Sequence, residues 1–141
     1  EFVNFGNFFS DVNLFNKMDL EAHGIDNEIN FEKDEIPYSD NQFDYIFTKS
    51  VIEHVSNTEH FLSEIYRVLK IGGKAYISIW NKLQFKFLFK RKEAYIKWGN
   101  EKRYYHFISF WDMKKLLKKY NLNIIESKLL GKNLEFLVEK I

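Results

Sequence analysis

The sequence predicts an α/β domain built on a mostly parallel sheet, with an antiparallel end. Three stretches predict it. Phe43 to Thr48 (FDYIFT) is a short apolar run of aromatic and β-branched residues, as expected of a strand covered on both faces. Phe61, Leu62, Ile65, Val68 and Leu69 then recur at helical spacing. Lys74 to Trp80 (KAYISIW) alternates in the manner of a strand. Two short strands separated by one helix of this length make a βαβ unit, which implies parallel pairing and a right-handed crossover.

The flanks of that unit supply its punctuation. Ile36-Pro37-Tyr38 reads as a short apolar strand, and Asp40-Asn41 as the turn that follows it. Asn57 or Thr58 can cap the helix. Gly72-Gly73 is expected to end it, because glycine accepts a left-handed C-cap at little cost. Upstream, Phe2 to Phe5 reads as a strand ending at Gly6. Ser10 or Asp11 can open a helix carrying Val12, Leu14, Phe15, Met18 and Ala22, with Gly24 as its stop. Glu28 to Phe31 reads as a second strand.

Downstream of Asn81, Leu83 to Trp98 reads as a basic, aromatic insertion of lid type. Phe85, Leu88, Phe89 and Ile96 suit a helix, but the pattern breaks at Lys90-Arg91-Lys92. Ser109-x-x-Asp112 resembles a capping box for a helix with Met113, Leu116 and Leu117 facing inward. Leu122 to Lys128 and Asn133 to Lys140 read as an antiparallel pair joined at Gly131. The organisation is one domain over residues 1–141, with residues 82–108 as an insertion within it.

Composition narrows the function classes. The chain has 141 residues, enough for one ordinary domain, and 45% hydrophobic residues, enough for a core. With no cysteine there is no disulfide, thiol nucleophile or cysteine-ligated zinc. No apolar run approaches the ~20 residues of a membrane span, so no membrane partner is expected, and a cytoplasmic location fits. The net charge of +1 hides an asymmetry: residues 1–81 hold 6 Lys/Arg and 14 Asp/Glu, whereas residues 82–132 hold 14 Lys/Arg and 4 Asp/Glu. A polyanion-facing side and a set of solvated helix faces both account for it.

The order I-P-Y-x-D-N-x-F-D, V-I-E-H-V and E-I-Y-R-V-L-K-x-G-G-K resembles the second half of the class I S-adenosylmethionine-dependent methyltransferases, with their Rossmann-like sheet. The resemblance runs over roughly residues 27–141. It implies S-adenosylmethionine as cofactor. It also implies a glycine loop after the first strand, for which Asn4-Phe5-Gly6-Asn7-Phe8 is the candidate, so that Gly6 would approach the cofactor. From that loop to Ile36 the family needs on the order of 60 residues at ordinary element lengths. This chain has about 30 there, which leads us to expect a βα unit missing from the amino-terminal side.

By the same resemblance Glu32, with Lys33 beside it, would contact the adenine amine. Thr48-Lys49-Ser50, at the carboxyl edge of the sheet, would line the methionine part of the cofactor and the acceptor. Read from the residues alone, the acidic run from Glu32 to Glu35 is equally a solvated loop. His54 is either a proton acceptor, since imidazole titrates near neutral pH, or a histidine that fixes its loop; Glu53 beside it would face the substrate. Without a third ligand of suitable spacing, Glu53-His54 makes no metal site.

Ser78-Ile79-Trp80, the basic linker, Arg103-Tyr104-Tyr105-His106-Phe107 and the final Gly131-Lys132-Asn133-Leu134 resemble the tRNA wobble-uridine carboxymethyl methyltransferases more narrowly. That implies tRNA as partner, with Arg103, Tyr105 and His106 facing the acceptor and His106 and Arg103 joining His54 in catalysis. Lysine and arginine interleaved with aromatic residues suit a single-stranded RNA loop. The same Tyr and Phe residues also suit packing of an insertion onto the sheet. The expected function is methyl transfer to an oxygen or nitrogen acceptor, with tRNA favoured. The alternatives are a small-metabolite methyltransferase and a non-catalytic remnant that binds RNA or a partner subunit.

Overall fold

The computed structural model describes residues 2–5, 22–24, 30–81, 93–98, 100–130 and 132–141. Eight strands and two α-helices fall among them. They are β1 (Phe2–Phe5), β2 (Ala22–Gly24), β3 (Phe43–Lys49), α1 (Thr58–Val68), β4 (Leu69–Trp80), β5 (Glu93–Trp98), β6 (Glu101–His106), α2 (Phe110–Lys119), β7 (Leu122–Leu130) and β8 (Asn133–Lys140). Six strands form one sheet in the order β2-β1-β3-β4-β8-β7. The first four are mutually parallel, β8 runs antiparallel to β4, and β7 runs antiparallel to β8. Strands β5 and β6 form a separate antiparallel pair within residues 82–108.

The alternation of each strand decides its faces. In β3, β4 and β8 one parity carries Ile46, Ala75, Ile77, Ile79, Leu134, Phe136 and Val138, in register with one another across the sheet. All are buried. Helix α1 lays Phe61, Leu62, Ile65 and Val68 into the same core, and α2 adds Met113 and Leu117. Each fully buried side chain of this size contributes roughly 1.5–3 kcal/mol. The helices meet outside the core as well, where Lys119 and the Tyr120 hydroxyl both donate to Glu59 Oε2.

The caps follow the sequence. Asn57 accepts from the His60 N–H at 3.2 Å and starts α1. The Ser109 hydroxyl accepts from the Asp112 N–H at 3.1 Å and donates to Asp112 Oδ2 at 2.7 Å, a hydroxyl variant of the capping box. A clamp then ties the segment before β3 to α1. The Arg67 guanidinium donates to both Glu64 oxygens (2.9 and 2.7 Å), to the carbonyls of Ile36 and Tyr38 (2.8 Å each) and to Asp40 Oδ1 (2.9 Å). Glu64 Oε2 also accepts from the Ile36 N–H at 2.8 Å.

Several local expectations are corrected. Ile36 to Tyr38 is not a strand but an irregular segment held by the Arg67 clamp, and Asp40-Asn41 is the expected turn, with Asn41 at φ 54°. Helix α1 stops at Val68, where Leu69 turns extended, so the glycine pair does not cap it. Instead Gly72 (φ 77°) and Gly73 sit within β4, where the six residues from Leu69 to Lys74 oppose only the three from Phe43 to Tyr45. A Cβ on Gly73 would lie 2.8 Å from the Lys70 carbonyl oxygen. Ala22–Gly24 is a strand, extended rather than helical; of the strand expected from Glu28 to Phe31, Phe31 lies in a turn, and Glu28 and Ile29 lie outside the described residues. Ile96 lies on β5, not on a helix. The expected helix from Ser10, the helical pattern at residues 85–89 and the turn at Gly131 lie outside the described residues.

Candidate functional site at the strand tips

Parallel pairing brings the carboxyl ends of β1, β2, β3 and β4 to one edge. Phe5 pairs with Thr48, and Lys49 with Ser78. Strand β1 sits between β2 and β3, so the chain moves to one side of β1 for β2 and to the other side for β3. In open α/β sheets the carboxyl ends of the strands at such a reversal are the place that takes ligands. Thr48, Lys49 and Ser50 stand there.

The chemistry of the tips is unusual for a closed core. Thr48 and Ser78 are each only 1% exposed, and neither hydroxyl has a hydrogen-bond partner among the described residues. Buried polar atoms in this state cost about 1–3 kcal/mol each, so they mark places where a ligand or water completes the set. Ser50 adopts φ 56°, while its N–H donates to the Ser78 carbonyl at 3.0 Å. A left-handed serine is strained, and such strain concentrates at ligand sites.

From Ser50 the chain makes a single 3-10 turn, Ile52–His54. The turn drives Glu53 inward to 2% exposure, and neither carboxylate oxygen meets a donor in hydrogen-bond geometry among the described residues. Burial pushes its carboxyl up to about 7; its own backbone N–H and the Ser50 hydroxyl oppose that only weakly. His54 is oriented by β6. Its Nδ1 lies 2.8 Å from the Tyr104 carbonyl oxygen, which can only accept, so Nδ1 carries the hydrogen. In the neutral ring Nε2 then carries the lone pair. The edge of the imidazole meets the Tyr105 ring at 4.6 Å, and Tyr105 lies 5.0 Å from Trp80 and stacks on Phe107 at 6.2 Å. A wall of three aromatic rings therefore stands beside the imidazole.

The predicted residues divide. Thr48, Lys49, Ser50, Glu53, His54 and Tyr105 are brought to the strand tips and the turn that follows them. Tyr105 is 3% exposed, so its ring is packed into the wall rather than projecting. His106 Nδ1 lies 3.3 Å from the Thr58 hydroxyl, which itself donates to the Val55 carbonyl, so His106 braces the start of α1. Glu32 is not an open acceptor. One of its oxygens takes the Ser56 N–H at 2.7 Å, and the other takes the Ser56 hydroxyl at 2.6 Å and the Asn57 N–H at 2.7 Å. Burial raises its carboxyl, but those donors outweigh it and hold the group below the ordinary range. Lys33 is exposed in the turn beside it. Arg103 stands on β6 opposite Ile96; its side chain, like Gly6, lies outside what is described. The Ser78 hydroxyl was not singled out from the sequence as a site group. The usable signal was register: Ser78 sits level with Lys49 on the neighbouring strand.

Comparisons with known proteins agree with this geometry. A family model described as a methyltransferase domain matches residues 12–77. Phosphoethanolamine N-methyltransferase 2 of Caenorhabditis elegans is 44% identical over 45 residues, which is 32% of this chain and 10% of that protein. The chain thus spans about a tenth of that curated relative. A S-adenosylmethionine-dependent methyltransferase from Methanosarcina mazei superposes with a TM-score of 0.67 at 15% identity, covering 86% of this chain and 68% of that one. A Haloferax volcanii methyltransferase, solved in complex with the Trm112 methyltransferase activator, gives 0.67 at 13% identity, covering 99% of this chain and 81% of that one. The fold is that of the class I methyltransferases. The cofactor that the matched domain and these neighbours imply is S-adenosylmethionine.

Proposed function

We propose that the strand-tip site transfers a methyl group from S-adenosylmethionine to a nitrogen or oxygen acceptor. The observation that carries this reading is the group of buried polar atoms on Thr48, Ser78 and Glu53, without hydrogen-bond partners among the described residues, near an imidazole of fixed tautomer. The residues fit the cofactor. Thr48, Lys49 and Ser50 would hold it at the strand tips, and the Glu53 carboxylate suits a cationic neighbour. When bound, the cofactor supplies a methyl group activated by sulfonium. The protein's part is then positioning and proton removal. Nε2 of His54 accepts the proton of the acceptor's O–H or N–H, while Tyr104 holds the ring. The aromatic wall excludes water from its side of the imidazole.

For the acceptor, the basic and aromatic stretch 82–132 favours RNA, with a tRNA uridine derivative as the specific candidate. That reading places the protein in the cytoplasm. A small metabolite is the second reading, favoured by the burial of Tyr105 and Phe107 and by the amine acceptor in the name of the nematode relative. A non-catalytic module that docks on a partner subunit is the third, suggested by the activator bound to the Haloferax protein. Incubation with methyl-labelled cofactor and either bulk tRNA or a panel of small amines and phenols separates them. His54→Gln should lower the rate by ~10²–10⁴-fold with cofactor affinity retained. Full turnover in that variant would remove His54 from the reaction, and no label in any acceptor would favour the third reading.

A further inference from the structure

A second feature lies away from the strand tips. On α2 the positions Trp111, Lys114, Lys115 and Lys118 follow the i, i+3, i+4, i+7 spacing and share one face. They form one wall of a shallow groove whose other wall is Asn121, Leu122, Asn123, Ile124 and Ile141. Trp111 is 69% exposed, an unusual placement for the largest side chain. The Lys114 ammonium lies 5.7 Å from the Trp111 ring and 5.3 Å from the Phe110 ring. Among the described residues no salt bridge involves Lys114, Lys115 or Lys118, and no carboxylate side chain lines the groove. Lys119, by contrast, is paired with Glu59.

We propose that this groove binds a single-stranded stretch of nucleic acid. The indole offers a stacking platform for a base, the three ammonium groups track phosphates, and the Asn121 and Asn123 amides can reach base edges. Charge complementarity selects a polyanion, and an exposed ring flanked by cations selects one that carries flat rings. An anionic membrane suits the geometry less well, since it needs a broad apolar face and here one indole stands among lysines. The inference deepens the RNA reading above and rests on it for the identity of the strand; the groove itself is separate from the methyl-transfer site.

The test is binding of a fluorescent oligouridylate by anisotropy, across a salt series, to the full chain and to Trp111→Ala and Lys114→Gln/Lys115→Gln/Lys118→Gln. We expect Trp111→Ala to weaken binding ~10-fold or more. We expect the lysine variant to flatten the dependence of log K on log salt by ~0.7 for each phosphate it no longer neutralises. Cofactor affinity and melting should be unchanged in both. Wild-type binding by both variants overturns the proposal. So does equal binding of polyglutamate, or binding of phosphatidylserine vesicles in place of the oligonucleotide. Methylation of tRNA at the wild-type rate, with saturating RNA, by a Trp111→Ala protein that binds normally would sink the groove and leave the function standing. Loss of oligonucleotide binding without any tRNA methylation would do the reverse.

Discussion

Glu53 makes the sharpest quantitative case. It is buried without a partner among the described residues, and burial lifts its carboxyl from the ordinary 4.5 to about 7. Below pH 4.5 the group is protonated whether the chain is folded or not, and its contribution to stability is fully present. Between 4.5 and 7 the unfolded chain releases the proton while the folded one retains it, so stability falls as pH rises. At 1.36 kcal/mol per pH unit, that window amounts to about 3 kcal/mol, lost by pH 8. Glu53→Gln removes the titration and keeps the shape. Urea denaturation of both proteins without cofactor, at intervals from pH 4.5 to 8, should show the variant gaining on the wild type through that window. The gap should widen by about 3 kcal/mol, or ~1–3 M in midpoint at ordinary urea slopes. A gap that stays flat with pH would show that Glu53 is hydrated or paired, and the reasoning would fall. The physical sense of such a residue is that a buried charge which weakens the fold at neutral pH persists where a ligand uses it.

Two further expectations concern the scaffold. Replacing Arg67 with Met removes five hydrogen bonds and leaves the Glu64 carboxylate buried without its partner, so denaturation should show a loss of ~2–4 kcal/mol at neutral pH. Ser50→Gly relieves the left-handed backbone and removes a hydroxyl; calorimetric melting should rise by up to ~1 kcal/mol in stability while cofactor affinity falls.

Much of the fold was legible because its signals are local. FDYIFT and KAYISIW are strands, the intervening helix has the expected inward face, and Ser109 and Asn57 cap where short polar side chains should. Phe2 to Phe5 is the expected strand, but Ala22–Gly24 was missed for a reason of scale. A three-residue strand such as Ala22–Gly24 is shorter than one period of any helical pattern, and only its pairing with β1 makes it extended. The glycine pair was misplaced because glycine signals a left-handed or crowded backbone without saying whether a helix end or a strand irregularity requires it. Ile96 was misassigned because a residue on a two-stranded ribbon can share the spacing of a helix.

Thr48, Lys49 and Ser50 could be placed at the strand tips because the tips of a parallel sheet are predictable from element order alone. The partners of Glu32 and His106 were not, since both bonds span more than 20 residues and depend on how α1 starts. Glu32 was assigned a cofactor role from the position of its carboxylate in a motif, whereas Ser56 and Asn57 occupy both of its oxygens. The exposed Trp111 escaped notice for the opposite reason: a tryptophan beside a capping box reads as core until the helix face is known.

Titration calorimetry with S-adenosylmethionine tests the central claim most directly. The account predicts one saturable site on the wild-type chain, with affinity weakened at least several-fold by Thr48→Val and left intact by Trp111→Ala. A chain that folds and shows no heat of binding, or that binds the cofactor equally well without the Thr48 hydroxyl, would contradict it.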